Sequence, residues 1–400
     1  MLTPLPIGLY VHYPFCVRKC PYCDFFSKAE GAFRKRDLRY MKALCEDFDS
    51  SLSHLNGRKL QSVYLGGGTP SLCDPDITGM LIEHLRPHLA EGCEISMEAN
   101  PGTTDRKRLE GFRDAGVNRL SIGAQSFDTR MLKALGRIHD GAQARAAVED
   151  ALASGFSNIN LDIMHGLPGQ DARMALSDLE IACSYPITHL SWYELTIEEG
   201  TRFGDRPPAL PGEDELYAIE EQGFPFLLSS GFERYEVSAF ARNGLKCLHN
   251  CNYWLFGDYL GIGAGASGKV FIDGRTLRRA CPEDPQAFVE GRRGEYQEVP
   301  GHEIPFEYML NRLRLYQDAG APEYENATGL PFETIRAGLE EAARLNCVEM
   351  EGNSFRLTAF GRLMLNDVLE LFLSEAPSHQ IDHRQDQDRQ GPEGRAGRGA

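Results

Sequence analysis

Short apolar runs alternate with amphipathic stretches along the first two hundred residues, and this alternation restricts the fold more than any other feature. Strand and helix in alternation build a parallel sheet with helices outside. A closed barrel of this kind needs eight such units, so six units predict an open, partial (β/α)6 barrel of the α/β class. The predicted strands are Ile7–Val11, Ser62–Leu65, Glu94–Glu98, Arg119–Gly123, Asn158–Met164 and His189–Leu195. The predicted helices include Lys35–Leu55, Pro75–Leu89, Asp105–Ala115, Ala142–Ser154 and Ala172–Ser184.

Chemically distinctive residues stand at the carboxyl end of each predicted strand. Three cysteines follow the first strand and the run GGGTP follows the second. The later strands carry Glu98, Gln125, Asp162, Tyr193 and Glu194 at or just beyond their ends. In parallel barrels this rim holds the chemistry, because strand ends and loops converge there. We therefore expect a functional site at this rim.

Composition restricts the partners and the cellular compartment that we expect for the chain. Its 42 basic and 58 acidic side chains give a net charge of −16, which argues against nucleic acid as a partner. No run approaches about 18 apolar residues, and the first residues lack a basic region before an apolar stretch. We expect neither a transmembrane helix nor a secretory signal, and hence a cytoplasmic protein. Clustered cysteines in such a chain are more often metal ligands than disulfides.

The alternation fades after about Pro207, and the remainder predicts smaller units. We expect a barrel at 1–240 and an extension at 241–300 that bears CLHNCNYW and the glycine-rich GIGAGASG, interpreted as a close-packed turn at the barrel rim. A winged-helix-like α+β domain is expected at 301–373, and its acidic context favours a packing role. The polar composition of 374–400 predicts a disordered tail. Within the third unit the predicted elements are the helix Phe332–Asn346, the hairpin Val348–Leu357 and the helix Ala359–Phe372.

The loop CVRKCPYC places Cys16, Cys20 and Cys23 at CxxxCxxC spacing. Structural zinc sites and four-thiolate iron–sulfur sites close with four ligands. Three thiolates on a cubane cluster would leave one iron open to a small molecule. The alternative is a zinc loop that borrows a histidine such as His12.

The cysteine loop after the first strand and GGGTP after the second resemble the radical S-adenosylmethionine superfamily. The resemblance implies a [4Fe–4S] cluster on Cys16, Cys20 and Cys23, whose open iron chelates the amino and carboxylate groups of S-adenosylmethionine. It further implies that Tyr22 packs on the adenine. Arg137 read alone is equally a solvated charge at a helix end, and Asp162 a capping or strand-end acid. The positions similar to the family's S-adenosylmethionine contacts are Tyr10, Gly67, Gly68, Thr69, Glu98, Gln125, Arg137 and Asp162.

Within that superfamily the chain resembles the group of oxygen-independent coproporphyrinogen III dehydrogenases and their relatives. The stretches LYVHYPFC, YLGGGTPS, MEANPG, LSIGAQSF, LGRIHD and LDIMHGLPGQ carry the resemblance over about residues 9–170. Two functions are implied: decarboxylation of coproporphyrinogen III, or haem binding and delivery as in the HemW type of haem chaperone. Phe25 stands where the dehydrogenase pattern has a further cysteine, and few residues precede Cys16 to cap the barrel. Both features favour the chaperone.

The stretch CLHNCNYW contains the HNxxYW signature that is characteristic of the haem chaperones. Imidazole is a good axial ligand for haem iron, and flat aromatic rings pack on a porphyrin. The resemblance therefore implies haem as a cofactor, His249 as a candidate iron ligand, Tyr253 and Trp254 as haem contacts, and haem-accepting proteins, soluble or membrane-bound, as partners. Two alternatives remain open: a hydrogen-bonded structural corner at His249, and a second iron–sulfur cluster at Cys247 and Cys251, for which two cysteines are too few.

Overall fold

The sheet of the computed structural model, which describes residues 5–31 and 33–373, is open and contains seven parallel strands. Six of them are the predicted strands, so the partial barrel is confirmed. The seventh, Asp258–Ile262 (β9), pairs with the first, Ile7–Tyr13 (β1), on the side opposite Leu60–Gly67. It was missed because its five residues run into a glycine-rich stretch interpreted as a turn. The parallel strands are β1 (Ile7–Tyr13), β2 (Leu60–Gly67), β3 (Leu89–Ala99), β4 (Arg119–Gln125), β5 (Ile159–His165), β6 (His189–Glu194) and β9 (Asp258–Ile262).

Helices cover the outer face of this sheet, as the βα alternation requires. The structure confirms the five predicted helices with shifts of a few residues at their ends. Asp140 begins one of them with a reciprocal capping box, in which its side chain accepts from the backbone N–H of Gln143 and the Gln143 side chain accepts from the backbone N–H of Asp140. The helices of the barrel are α1 (Arg34–Ser51), α2 (Pro75–Leu85), α3 (Arg106–Ala115), α4 (Thr129–Ala134), α5 (Gly141–Ala153), α6 (Ala172–Ser184), α7 (Arg202–Asp205) and α8 (Glu213–Ser229).

The two faces of the barrel strands differ sharply in chemistry. Alternate side chains of a strand point to opposite faces. One set is apolar, is buried in the main core with the helices, and includes Leu9, Val63, Met97, Leu120 and Leu161. The other set lies inside the barrel and is polar: Tyr10, Tyr64, Glu98, Arg119, Ser121, Asn160, Asp162, Ser191 and Tyr193. Branched apolar side chains fill the interior of many parallel barrels, whereas this polar interior leaves a cavity.

Antiparallel strands extend the sheet at both edges. Strands β7 (Glu233–Arg234) and β8 (Ala239–Ala241) follow β6, and β10 (Ser267–Ile272), β11 (Arg275–Ala280) and β12 (Tyr296–Glu298) follow β9. The run GIGAGASG joins β9 to β10. A Cβ on Gly261 would lie 1.9 Å from the carbonyl oxygen of Ser267, so only glycine allows these backbones to approach. The turn is close-packed, as predicted, but its ends belong to strands.

The helices of the extension are α9 (Leu248–Trp254) and α10 (Pro285–Val289). The last part of the described chain has its own apolar core, which includes Tyr308, Tyr324, Ile335, Leu339 and Phe355. Its elements are α11 (Ile304–Arg312), β13 (Ala319–Gly320), α12 (Ala321–Thr328), α13 (Glu333–Arg344), β14 (Val348–Glu351), β15 (Ser354–Leu357), α14 (Ala359–Leu363) and α15 (Leu365–Glu370).

Helix, hairpin and helix follow one another in the predicted order, but the final helix is not continuous. It breaks at Met364, where φ and ψ are −99° and 28° and depart from helical values. The predicted tail at 374–400 lies outside the described residues, and the predicted domain limits stay predictions. Within the described residues no helix combines the length and apolarity needed to cross a membrane.

Candidate functional site

A cavity of about 580 Å³ inside the barrel is lined by every residue that the resemblance assigns to the [4Fe–4S] cluster, S-adenosylmethionine or haem. It extends from the cysteine loop, beyond the carboxyl end of β1, to helix α9. Pockets of this size suit small molecules and cofactors. The predicted residues that line it are Tyr10, Cys16, Cys20, Tyr22, Cys23, Gly67, Gly68, Thr69, Glu98, Gln125, Arg137, Asp162, His249, Tyr253 and Trp254.

Two arginines connect the cysteine loop to strand β4 and to the loop that follows helix α4. The Arg18 guanidinium donates to the carbonyl oxygen of Arg137 at 2.8 Å. The Arg137 side chain in turn donates to the carbonyl oxygen of Gly123 at 2.9 Å and to Sγ of Cys20 at 3.6 Å. Arg137 is therefore a cavity residue and not a solvated charge at a helix end. Its cation faces the position where a thiolate would carry negative charge.

The three loop cysteines are free thiols. Burial raises the pKa of Cys16, and it raises the pKa of Cys23 to about 11. Iron binding would have to displace these protons, because the thiolate is the metal ligand.

Across the described residues, no three Cys, His, Asp or Glu side chains converge closely enough to hold a single metal ion. A cubane cluster is larger than a single ion and binds each thiolate at a different corner. Three thiols spread around one loop are therefore better placed to bind a cluster than to bind a zinc ion. The ring nitrogens of His12 bond the hydroxyl of Tyr10 and the carbonyl oxygen of Phe26, both at 2.9 Å. His12 therefore offers zinc no free nitrogen.

The glycine run at the end of β2 folds against the base of the cysteine loop. Gly67 has a φ of +107°, and a Cβ there would lie 2.6 Å from the His12 ring. A Cβ on Gly68 would lie 2.7 Å from the carbonyl oxygen of Phe15. The N–H of Gly68 donates to the carbonyl oxygen of Tyr13, and that of Thr69 to the carbonyl oxygen of Phe15. Glycine at these positions lets the second strand meet the loop that carries the thiols.

Two carboxylates lie on the inner wall of the cavity. Glu98 accepts from the Tyr64 hydroxyl at 3.0 Å and from the Gly67 N–H at 3.2 Å. Asp162 accepts from the Ser121 hydroxyl at 2.9 Å and from the Asn160 amide at 2.8 Å. Burial, with the charge of Asp162 as the second cause, raises the pKa of Glu98 to about 7. Burial also raises the pKa of Asp162, which is an interior group and not a helix cap.

Gln125 and Tyr22 are further predicted contacts that border the same cavity. The Tyr193 hydroxyl donates to Oε1 of Gln125 at 2.8 Å. Gln125 has a φ of 65°, a left-handed conformation that is uncommon for a non-glycine residue and often marks a functional position. Tyr22 lies between the Arg137 guanidinium and the ring of Phe203. One flat ring therefore borders the cavity beside the thiols.

Helix α9 is held to the barrel by a buried carboxylate on β3. Glu94 accepts from the N–H groups of Leu248 at 3.2 Å and His249 at 3.3 Å, and from the thiol of Cys247 at 3.3 Å. These are the orphan donors of the first helical turn, which a carboxylate satisfies well. Cys247 Sγ also accepts from the N–H of Asn250 at 3.4 Å. Cys247 thus serves as the N-cap of this helix.

His249 lies deep in the barrel and is only 3% exposed. Its Nδ1 bonds the hydroxyl of Ser62 at 2.9 Å, and its Nε2 bonds the hydroxyl of Tyr253 at 3.0 Å. Its ring stacks on Tyr64 with a centroid separation of 5.0 Å. Burial, assisted by the charge of Arg119, lowers the pKa of His249 to about 3, so the imidazole is neutral. A neutral imidazole can bind iron, but here both nitrogens already have partners.

Five inward polar residues that were not among the predicted site residues also line the cavity: Tyr64, Arg119, Ser121, Asn160 and Ser191. A signal for them existed, since they stand at every second position of apolar strands. The clearest examples are Ser62 and Tyr64, Ser96 and Glu98, Arg119 and Ser121, and Asn160 and Asp162.

Comparison with known proteins places this architecture among characterised relatives. Residues 10–180 match the family model described as the Radical SAM superfamily, and residues 299–364 match the HemN C-terminal domain. The chain is 46% identical to a protein of Escherichia coli named Heme chaperone HemW, over 92% of this chain and 99% of that protein. It is 42% identical to the protein of the same name from Haemophilus influenzae, over 92% and 98%.

A solved structure of similar fold is the coproporphyrinogen III oxidase HemN of Escherichia coli, described as a radical SAM enzyme. The TM-score is 0.76, with 22% identity over 92% of this chain and 90% of the other. This likeness establishes the fold of nearly the whole chain.

Proposed function

The chain belongs to the HemW family of radical S-adenosylmethionine proteins, and from this we propose that it is a haem chaperone, which binds haem in the barrel cavity and passes it to acceptor proteins. One structural observation carries the proposal. The HNxxYW residues His249, Tyr253 and Trp254 line the same cavity as the three thiols. The cavity therefore combines a neutral imidazole, flat rings and buried polar groups, which suit a porphyrin with carboxylate side chains.

We assign the cluster to Cys16, Cys20 and Cys23, with S-adenosylmethionine beside it. Their free thiols and the neighbouring cation of Arg137 suit an iron–sulfur cluster, which when bound supplies one-electron chemistry. The expected S-adenosylmethionine contacts are Tyr10, Tyr22, Gly67, Gly68, Thr69, Glu98, Gln125, Arg137 and Asp162.

We assign haem to the α9 end of the cavity, with Nε2 of His249 as the iron ligand. Because Nε2 is hydrogen-bonded to Tyr253, ligation requires the Tyr253 hydroxyl to turn away, while the bond from Nδ1 to Ser62 keeps the ring in place. A histidine whose second nitrogen is held in this way is oriented for a metal. Trp254 lies against the Arg314 guanidinium at 4.5 Å and presents a further ring to the cavity.

The dehydrogenase function is not favoured. Phe25 stands two residues after the third cysteine, where the dehydrogenase pattern has another cysteine, and its side chain, which borders the cavity, is 59% exposed. A thiol at that position is therefore absent from the cavity mouth.

The proposed partners are haem-accepting proteins, and the proposed location is the cytoplasm. All eleven cysteines lie in the described part of the chain and are unpaired. Free thiols in this number are typical of a reducing compartment.

Two measurements on the purified, cluster-loaded protein test the function. Haem titration followed by the Soret band should saturate at about one haem per chain. An anaerobic assay with coproporphyrinogen III, S-adenosylmethionine and a strong reductant should give no significant decarboxylation. Absence of saturable haem binding would contradict the chaperone function, and turnover on the order of 1 per second would move the protein to the enzyme class.

A further inference from the structure

Arg119 is a buried cation on the cavity wall that the cluster and S-adenosylmethionine assignments leave without a role. It is the first residue of β4, its interior neighbour on β3 is Ser96, and it is 4% exposed. It lines the cavity together with Tyr235, Cys247 and His249.

The charge of Arg119 is incompletely compensated. Within residues 5–31 and 33–373 its guanidinium makes one long hydrogen bond, from Nη1 to the Ser96 hydroxyl at 3.5 Å, and Nε has no hydrogen-bond partner. A guanidinium has five N–H donors in a fork that matches a carboxylate. A buried cation is costly unless it is paired and hydrogen-bonded. This side chain therefore lacks a hydrogen-bonded anion.

The nearest acid does not supply that anion. Oε2 of Glu94 is 3.9 Å from Nε of Arg119, beyond hydrogen-bond distance. Both oxygens of Glu94 accept from the first turn of α9. The other nearby carboxylate, that of Asp162, accepts from Ser121 and Asn160. The protein thus leaves the fork of Arg119 open toward the cavity.

Two expected ligands carry carboxylates, and position distinguishes between them. The carboxylate of S-adenosylmethionine belongs on the open iron, at the end formed by Cys16, Cys20 and Cys23. Arg119 belongs to the α9 end, because its partners there are Glu94 and Ser96 and its charge acts on His249. We propose that Arg119 is the site that binds a carboxylate side chain of the porphyrin, a haem propionate.

This inference rests on the proposed haem function and adds the orientation of the ligand. The propionate edge of haem lies at the β4 wall beside α9, where the guanidinium provides charge-assisted hydrogen bonds. Haem whose propionates are esterified keeps the iron and the flat ring but loses this pairing. The difference in affinity between haem and its diester therefore measures the carboxylate contact apart from the packing of the porphyrin ring.

The experiment compares the affinity for haem with that for haem dimethyl ester in the cluster-loaded protein. The wild type should prefer haem by about tenfold or more, the scale of one charge-assisted hydrogen bond. Arg119→Gln should remove most of that preference, mainly by weakening haem, and Arg119→Lys should keep part of it. Arg108→Gln is the matched control, since Arg108 donates to backbone carbonyls of Ser71, Leu72 and Cys73 outside the cavity. It should leave the ratio unchanged.

Each other outcome overturns the inference in a different way. Equal affinity of the wild type for haem and haem dimethyl ester contradicts the inference. This test needs no variant, so it remains decisive even if Arg119→Gln does not fold. An unchanged ratio in Arg119→Gln makes Arg119 structural while the haem function stands. If Arg119→Gln lowers the affinity for S-adenosylmethionine and leaves the ratio of the two porphyrin affinities unchanged, Arg119 binds the carboxylate of S-adenosylmethionine instead. If the wild type binds neither porphyrin, the haem function itself fails.

Discussion

The Tyr64 hydroxyl donates to Oε1 of Glu98 at 3.0 Å. The ring of Tyr64 also stacks on His249. One side chain of β2 therefore contacts both ends of the cavity, the expected S-adenosylmethionine site through Glu98 and the expected haem site through His249. The two expected sites therefore share one cavity, and Tyr64 connects them.

The cluster prediction concerns the loop thiols. Anaerobic reconstitution should give about four iron per chain, and replacing Cys16, Cys20 or Cys23 with alanine should abolish the cluster. Cys183→Ala should keep it, because Cys183 belongs to α6 on the outside of the barrel. Iron analysis and the visible spectrum measure this. An iron content in Cys20→Ala equal to that of the wild type, or stoichiometric zinc in the wild type, would contradict the assignment.

Glu98 should make the stability of the apoprotein depend on pH. Its pKa rises from 4.5 to about 7 in the folded state, through burial and the charge of Asp162. Between these values the unfolded chain has lost a proton that the folded protein keeps, so stability falls as pH rises from about 4.5 to 7 and is then level. Glu98→Gln should abolish this loss of stability, which is about 3 kcal/mol for the pKa change of Glu98. Urea unfolding at several pH values checks this, and parallel curves for the two proteins would contradict it.

Glu94 should be essential for attaching α9, and the same strand offers a control. Glu94→Ala leaves the first N–H groups of α9 without an acceptor and removes the carboxylate that lies 3.9 Å from Arg119, which should cost about 3 kcal/mol. Glu91→Ala changes an exposed residue of β3 and should stay within about 0.5 kcal/mol. Denaturant unfolding compares the two. Equal effects would mean that Glu94 does not anchor the helix.

The sequence predicted the parts of this molecule that local patterns determine. The six strands and the rim position of the thiols follow from alternation and spacing, and the structure confirms both. Contacts between distant segments could not be predicted, because they depend on how the whole barrel closes. The bond between His249 and Ser62 joins residues 187 positions apart, and β9 meets β1 only in the folded sheet.

The polar interior of the barrel was only partly predictable from the sequence. The alternation of apolar residues with Ser62, Tyr64, Ser96 and Glu98 was present in the sequence, but each run is too short to show which face is hollow. Only the assembled sheet shows that these side chains share a cavity. Arg119 was missed because it is the first residue of its strand and belongs to no recognisable motif.

Tyr253→Phe should separate a haem ligand from a structural corner at His249. Removing the hydroxyl leaves Nε2 without its partner, which should lower apoprotein stability by about 1 kcal/mol. It should also strengthen haem binding, because the iron no longer competes with that hydroxyl. Tyr259→Phe, whose ring lies 4.4 Å from that of Tyr253, should change neither property. Weaker haem binding in Tyr253→Phe, at unchanged cluster content, would contradict the ligand assignment.

The most direct test of the account is the ferric haem spectrum of His249→Ala beside the wild type. The wild type should bind one haem per chain with a Soret band of imidazole ligation. His249→Ala should shift that band or weaken binding and keep its cluster, because Cys16, Cys20 and Cys23 lie at the other end of the cavity. His189→Ala, which removes a buried histidine bonded to Thr188, should leave the band unchanged. An unchanged affinity and an unchanged Soret band in His249→Ala would show that His249 is a structural corner and that haem binds elsewhere or not specifically.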